Sequence, residues 1–245
     1  MKAFASDFDG TIYFSEKSEH VKASDIQAVH KFQEQGHLFG FCTGRPIYGV
    51  TDYIKEYIEA DFYITNSGAT IHDKDLNLIY EKTIPKEIID KLITYGVKNS
   101  YAVDLHMDGK FYAYGKATNF IKDIITSLDE IHGNVHNISY NALTEEAAIE
   151  LVQLISHQFG DQIAAFRNTR YVDIVPFGCS KGTGIEIVRK VFQIDTFCGI
   201  GDSMNDLPML EKADMPFTFP FAPEALQEKS KHIVNSVAEA LDFML

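Results

Sequence analysis

Two carboxylates stand one residue apart near the start of the chain, in Asp7-Phe8-Asp9-Gly10-Thr11, directly after the apolar run Ala3-Phe4-Ala5. If that run is a strand, Asp7 and Asp9 project to the same side at its end while Phe8 turns back into the core. Acids placed there are costly unless a cation, a proton or hydrogen-bond donors compensate them. A plain turn uses the same residue types, so this stretch alone leaves chemistry and structure both open. Three other stretches hold complementary groups. Gly201-Asp202-Ser203-Met204-Asn205-Asp206 repeats the strand-end acid at Asp202, and its Asp206 reads either as a further site acid or as the acid of a capping box opposite Ser203. Ser180-Lys181-Gly182-Thr183-Gly184 places a lysine in the first turn of a helix, against the helix dipole, among glycines that weaken helix formation. A bound anion or carboxylate would resolve that conflict, as would a lysine turned to solvent. Thr43-Gly44-Arg45-Pro46 joins a strand end to a helix start, where free backbone N–H groups suit a phosphate and where a threonine also serves as a simple N-cap.

These groups act together only if the fold gathers them, and the hydrophobic pattern says that it does. A capping box at Ser24-Asp25-Ile26-Gln27 opens a helix that carries Ile26, Ala28, Val29 and Phe32 and closes at Gly36. Residues 37–42 form a second strand. Pro46 starts a helix with Val50, Tyr53, Ile54 and Ile58 on one face, and residues 61–65 form a third strand that ends in Asn66-Ser67-Gly68-Ala69. Strands and helices alternating through short joints imply parallel pairing in an open α/β sheet. In such sheets ligands bind beyond the carboxyl ends of the strands, where Asp7, Asp9, Thr43 and Asn66 fall.

The rhythm changes near Glu81. Residues 85–97 read as a helix, 101–114 as a hairpin turning at Asp108-Gly109, 117–128 and 144–159 as helices, and 163–166 and 171–175 as strands. This mixture describes an inserted α+β domain over 82–177, between a core made of 1–81 and 178–245, with residues 81–85 as entrance and Pro176-Phe177-Gly178 as exit. The core resumes with the Lys181 helix, carrying Ile185, Val188 and Val191 on its inner face. A strand at 196–200, a helix with Leu207, Met209 and Leu210, a strand near 232–234 and a last helix from Ser236 complete it.

Composition sets limits on function. The chain has 245 residues, 45% hydrophobic and 23% charged, as in ordinary globular proteins. A net charge of −13 argues against nucleic-acid or anionic-membrane partners and leaves room for a small anion held by local cations. Cys42, Cys179 and Cys198 are far apart and odd in number, which suits reduced thiols in a cytoplasmic protein. No N-terminal targeting signal and no membrane-spanning run is visible, and nothing points to an obligate protein partner.

Four aspartates, Asp7, Asp9, Asp202 and Asp206, then converge at one sheet edge and cannot all ionise without a counter-charge. A divalent oxygen-seeking ion, magnesium by chemistry and availability, meets that need. With Lys181 and the Thr43 turn the set suits phosphoryl transfer. The four motifs, in this order, resemble the signature motifs of the haloacid dehalogenase-like hydrolase superfamily, and the long insertion resembles that of its Cof-type phosphatases. The resemblance implies a Rossmann-like, mainly parallel core with an inserted cap. It implies Asp7 as nucleophile forming an aspartyl-phosphate, and Asp9 as general acid and then base with its backbone carbonyl on magnesium. Thr43, Gly44 and Lys181 would hold phosphoryl oxygens. Asp7 and Asp202 would bind magnesium, supported by Asn205 and Asp206. Where relatives usually read Asn-Gly-Ala, this chain has Asn66-Ser67-Gly68-Ala69.

The expected activity is magnesium-dependent hydrolysis of small phosphorylated metabolites, sugar phosphates foremost. A phosphomutase or phosphotransferase on the same fold is the alternative, and a non-catalytic metabolite-binding protein is a third reading that the full residue set disfavours. Arg45, beside Thr43, is a candidate for contacting substrate phosphate. On the insertion, the polar hairpin residues His106, Lys110, Tyr112, Tyr114 and Lys116 are candidate selectors of the leaving group, or a solvated face.

Overall fold

The structure, a computed structural model, describes residues 1–117, 121 and 123–245. The chain begins with β1 (Lys2–Ser6), α1 (Ala23–Glu34), β2 (Leu38–Cys42), α2 (Tyr48–Ile54) and β3 (Phe62–Thr65), then doubles back through β4 (Thr70–Asp73) and β5 (Leu78–Glu81). A second group follows: α3 (Lys86–Lys98), β6 (Ala102–Met107), β7 (Lys110–Tyr114), β8 (Ile124–Ile125), β9 (Val135–Asn141), α4 (Glu145–Phe159), β10 (Ile163–Asn168) and β11 (Tyr171–Pro176). The chain closes with α5 (Lys181–Phe192), β12 (Thr196–Ile200), α6 (Leu207–Lys212), β13 (Met215–Thr218), α7 (Glu224–Lys229), β14 (His232–Ile233) and α8 (Val237–Asp242).

The first and last groups share one sheet in the order β14-β13-β12-β1-β2-β3-β4-β5, parallel except at β4 and β5. From β1 the chain builds outward to β2 and β3 on one side, and later from β12 to β13 and β14 on the other. The direction of winding therefore reverses at β1, and the crevice beyond its carboxyl end is the topological switch point. Alternation along the strands supplies both faces. Phe4, Phe39, Phe41, Cys198, Ile200 and Phe217 pack under α1, α2 and α8, while Ala3, Ala5, Phe62, Ile64 and Phe197 meet α5, α6 and α7.

The middle group forms a second sheet in the order β10-β11-β9-β6-β7-β8, antiparallel except where β8 joins β7. Val103, Leu105, Ile138, Tyr140, Val172 and Ile174 point to α3 and α4 and form their own core, and the Tyr140 hydroxyl donates to the Leu92 carbonyl at 2.6 Å. The residues between them point the other way, toward the strand ends of the first sheet. The hairpin turn ties the second sheet to the start of α2, where the Tyr48 N–H donates to the Gly109 carbonyl at 3.1 Å.

Several local expectations are corrected. The first helix starts at Ala23 with Lys22 as N-cap and no side-chain cap, so Ser24 lies inside the first turn and cannot open a capping box with Gln27; Asp25 is buried and accepts from the Ala238 N–H at the start of α8. Tyr53 is half exposed and lies beside Arg45, and Val191 is half exposed. The helix expected over 117–128 falls partly outside the described residues. Where described, its second half is the two-residue strand β8 and a short 3-10 turn at Leu128–Glu130 capped by Ser127. Strands β4, β5 and β9 and helix α7 have no counterpart in the sequence reading.

Candidate active site

Register brings the motifs together. Ser6 pairs with Phe41 on one side and Ile200 on the other, so β1, β2 and β12 end level, and the Asp7 N–H still donates to the Ile200 carbonyl at 2.9 Å. Asp7 and Asp202 thus leave adjacent strands at the same height. Lys181 enters from α5, whose N-terminus is fixed by a reciprocal box: Ser180 Oγ accepts from the Thr183 N–H at 3.0 Å, and Thr183 Oγ1 accepts from the Ser180 N–H at 2.9 Å. The two glycines that weaken this helix have a steric reason. A Cβ at Gly182 would lie 2.3 Å from the Pro208 carbonyl and one at Gly184 would lie 2.4 Å from Ile64, so only glycine lets α5 approach α6 and β3 this closely.

The conflict between Lys181 and the dipole is resolved internally. Its ammonium is 1% exposed and donates to Asp7 Oδ1 at 2.6 Å and to Asp206 Oδ1 at 2.5 Å. Burial alone would lower the Lys181 pKa, but Asp206 and Asp7 overcome it and raise it. Asp206 Oδ2 accepts from the Asp202 and Ser203 N–H groups at 3.0 and 2.9 Å, so this residue is both the capping acid of the sequence reading and a partner of Lys181. Asn205 is buried and its Oδ1 accepts from Ser203 Oγ at 2.7 Å.

Asp7, Asp202 and Asp206 offer carboxylate oxygens within 4.8 Å of one another. Burial, then the charge of Asp206, raises the Asp7 pKa well above its usual range, against the opposing pull of Lys181. Asp202 is pushed up to about 6 by burial and by Asp206, and Thr11 Oγ1 donates to its Oδ1 at 3.1 Å. Three ionised carboxylates against one ammonium leave a net charge of −2, which one divalent cation cancels. The donor set is all oxygen, as a hard cation requires. Because both oxygens of Asp206 already accept hydrogen bonds, Asp7 and Asp202 are the members best able to turn to a metal.

Thr43 is buried, and its hydroxyl oxygen accepts from the Arg45 N–H at 3.2 Å, the local turn role that the sequence left open; its own proton remains able to donate. Asp9 lies apart from the other three acids. Arg45 Nε and Nη2 donate to its two carboxylate oxygens at 2.7 and 2.6 Å, Nη1 donates to the Gly49 carbonyl at 2.7 Å, and the guanidinium lies against the rings of Phe8, Tyr13 and Tyr53. The expected convergence of four aspartates is therefore one of three, with the fourth held by Arg45.

Asn66 and Ser67 both adopt left-handed backbone angles, φ 51° and 50°. This geometry turns the Asn66 side chain toward the second sheet, where its Oδ1 meets His106 Nδ1 at 2.9 Å while its amide donates to Thr70 Oγ1 at 2.9 Å. Of the hairpin candidates, His106 faces the site and Tyr112 and Tyr114 do not. They pack into the second core, because Leu105 pairs with Tyr112 and Val103 with Tyr114 on the helix-covered face. Phe111, opposite His106, takes the site-facing place, with its ring 4.8 Å from the imidazole. Lys110 and Lys116 are exposed. Asp104, Asn137, Ser139 and Asp173, which share the face of His106, were not singled out from sequence; their alternation with the apolar residues of β6, β9 and β11 is the signal that could have found them.

Fold and site define an α/β enzyme with its chemistry at the switch point of a doubly wound sheet. Residues 4–241 match the haloacid dehalogenase-like hydrolase family, and the chain belongs to that family. Proteins named as phosphatases are among those the chain resembles. An HMP-PP phosphatase of Yersinia pseudotuberculosis serotype O:1b is 22% identical over 220 residues, covering 85% of this chain and 80% of that protein. A haloacid dehalogenase-like hydrolase from B. subtilis superposes with a TM-score of 0.89 at 20% identity over 100% of both chains. A structure described as a HAD subclass IIB sugar phosphatase superposes with a TM-score of 0.84 at 21% identity, covering 100% of this chain and 99% of that one. No helix among the described residues is long and apolar enough to cross a membrane.

Proposed function

We propose that the protein is a magnesium-dependent phosphatase of small phosphorylated metabolites that works through an aspartyl-phosphate on Asp7. The observation that carries this reading is the buried Asp7–Lys181–Asp206 chain with Asp202 alongside. Lys181 binds one oxygen of Asp7, which orients the carboxylate and leaves Oδ2 as the attacking atom. Asp7 and Asp202, with the Asp9 backbone carbonyl, would hold magnesium, while Asn205 and Asp206 support them. Bound there, the ion would supply Lewis-acid neutralisation of the phosphoryl charge.

In the first half-reaction Asp7 Oδ2 forms a bond to phosphorus and the ester P–O bond breaks, with Asp9 giving a proton to the leaving alkoxide. In the second, water attacks the same phosphorus, its proton passes to Asp9 and the Asp7 carboxylate is released with inorganic phosphate. Lys181, the Thr43 hydroxyl and the Gly44 N–H would hold the phosphoryl oxygens. Both Asp9 oxygens are bound by Arg45, so the ion pair has to open for Asp9 to reach the leaving oxygen. Arg45 accordingly acts on Asp9 as well as being a candidate phosphate contact.

Residues 82–177 are read as a cap and residues 1–81 with 178–245 as the catalytic core; the separate hydrophobic cores of the two sheets support that division. The likeness to an HMP-PP phosphatase and to a sugar phosphatase supports a small phosphorylated metabolite as substrate. Buried free thiols at Cys42, Cys179 and Cys198 agree with a cytoplasmic location. The test is phosphate release from a panel of phosphomonoesters with magnesium or with chelator. Release that requires magnesium supports the reading, and equal rates with chelator sink the metal-dependent mechanism.

A further inference from the structure

The helix-free face of the second sheet carries a polar row that catalysis at Asp7 does not use. Asp104 on β6, Ser139 on β9 and Asp173 on β11 stand side by side in register, with the His106–Asn137 pair next to them. Buried polar groups on a strand face are costly unless they are satisfied. Here they are not. Asn137 is 0% exposed and neither its amide nitrogen nor its oxygen has a hydrogen-bond partner, and Asp104 Oδ1 is likewise unpartnered. Burial pushes Asp173 up to about 6, and burial followed by the charge of Asp173 pushes Asp104 to about 6 as well. Ser139 and Asn137 stand close enough to Asp173 to oppose its rise, although neither Asn137 atom completes a hydrogen bond of ordinary geometry.

No positive charge is built in to offset these acids. None of the ion pairs among the described residues includes Asp104 or Asp173. His106 is neutral, its pKa held down to about 3 by burial and by His136 and Arg45. Lys181 acts on Asp173 from a distance but gives its hydrogen bonds to Asp7 and Asp206. A metal ion does not suit the row either. Asp7, Asp202 and Asp206 are the one group of three or more potential ligands among the described residues that closes to metal-binding distances.

The row lies over the phosphate end of the site. A Cβ on Gly44 would lie 3.1 Å from Asp173 Oδ2, and His106 reaches Asn66. A molecule held by its phosphate at Thr43 and Gly44 therefore presents its other end to these residues. We propose that Asp104, Asn137, Ser139 and Asp173 form a leaving-group subsite that selects phosphate monoesters whose alcohol part carries an ammonium or a similar cationic N–H group, over neutral polyol esters. The inference rests on the phosphatase reading. A cationic nitrogen gives both carboxylates a counter-charge and gives donors to Asp104 Oδ1 and Asn137 Oδ1. A hydroxyl supplies the hydrogen bonds without the charge.

The experiment compares kcat/KM for matched pairs, aminoethyl phosphate against ethyl phosphate and glucosamine phosphate against glucose phosphate, in wild type, Asp104→Asn and Asp173→Asn. The ratio within each pair is read for each protein, so a general loss of activity cancels. Affinity of the same four esters for Asp7→Asn, with magnesium present, is measured in parallel by calorimetry, with and without the added Asp173→Asn change. The subsite predicts a wild-type preference for the amine of about tenfold or more, falling toward unity in either variant. Equal kcat/KM values within both pairs, or a preference that both variants keep, overturn the subsite and leave the phosphatase standing. If none of the esters is hydrolysed but the amines bind more tightly in a manner lost with Asp173→Asn, the phosphatase reading fails and the subsite survives. Absence of both hydrolysis and discrimination overturns both.

Discussion

The Lys181 ammonium lies 2.6 Å from Asp7 Oδ1, and that bond ties the first turn of α5 to the end of β1 across 174 residues of sequence. It makes the proposed nucleophile part of a buried electrostatic unit whose members depend on one another. Replacing Lys181 by Met keeps the chain's bulk and leaves Asp7 and Asp206 without their cation. Removing one partner of a buried pair costs about 3–5 kcal/mol, so Lys181→Met should lose about that much stability in chelator. Magnesium should restore part of it by supplying positive charge to the same acids. Urea denaturation with and without magnesium reads both effects, and a variant as stable as wild type in chelator contradicts the coupling.

The Arg45 fork on Asp9 gives a second prediction. Arg45→Ala frees the Asp9 carboxylate and removes the guanidinium from its place against Phe8, Tyr13 and Tyr53. If the fork positions the acid and base, kcat should fall about tenfold and Arg45→Lys should restore little of it, since an ammonium cannot reproduce two parallel hydrogen bonds. If Arg45 only binds phosphate, KM rises with kcat nearly unchanged and lysine rescues it. Steady-state kinetics on one ester separates the two.

Asp173 gives a pH prediction with a definite sign. Its folded pKa, about 6, lies above the ordinary aspartate value of 3.8, so the folded state binds a proton more tightly than the unfolded chain. The stability this contributes is complete below about pH 4 and is lost as pH rises through 6. At pH 7.5 Asp173→Asn should thus be more stable than wild type, by about 1–3 kcal/mol, when no substrate is present. The difference should shrink steadily toward pH 5. A gain independent of pH, or no gain at pH 7.5, contradicts the burial of an ionised carboxylate there.

Metal binding offers a fourth check that does not depend on turnover. A ligand that binds the folded state alone stabilises it in proportion to the logarithm of its saturation, by about 2.7 kcal/mol at a hundred times Kd. Magnesium should raise the Tm of wild type, and the rise should be largely lost in Asp202→Asn. Calcium-like or absent selectivity would still place a cation there; an unchanged magnesium response in Asp202→Asn would remove Asp202 from the ligand set.

The parts of this molecule legible in the sequence are those where local pattern and tertiary role agree. Asp7 and Asp202 follow apolar runs that are strands on their own pattern, and Ser180 with Thr183 caps α5 just where the lysine enters. Strand β9 escaped because four of its seven residues, His136, Asn137, Ser139 and Asn141, are polar and its register shifts opposite His106 and Met107, which breaks simple alternation. Strand β8 has two residues and exists by pairing with β7, a tertiary cause that no local pattern carries.

The site shows the same division. The grouping of Asp7, Lys181, Asp202 and Asp206 follows from strand ends and order along the chain. The diversion of Asp9 to Arg45 depends on a side-chain conformation over the Phe8 and Tyr13 rings, and the link from Asn66 to His106 depends on two successive left-handed residues. Neither the rotamer nor the paired backbone angles is fixed by residue type. Tyr112 and Tyr114 looked like site residues for their polarity, yet strand parity sends them into the second core.

The central claim is that Asp7 carries the phosphoryl group. The most direct measurement is rapid acid quench of enzyme turning over a phosphomonoester with magnesium, followed by peptide mass spectrometry. The account predicts a phosphoryl adduct on the peptide containing Asp7 in wild type, and neither adduct nor phosphate release in Asp7→Asn. Sustained phosphate release by Asp7→Asn, or an adduct on a peptide that lacks Asp7, would contradict it.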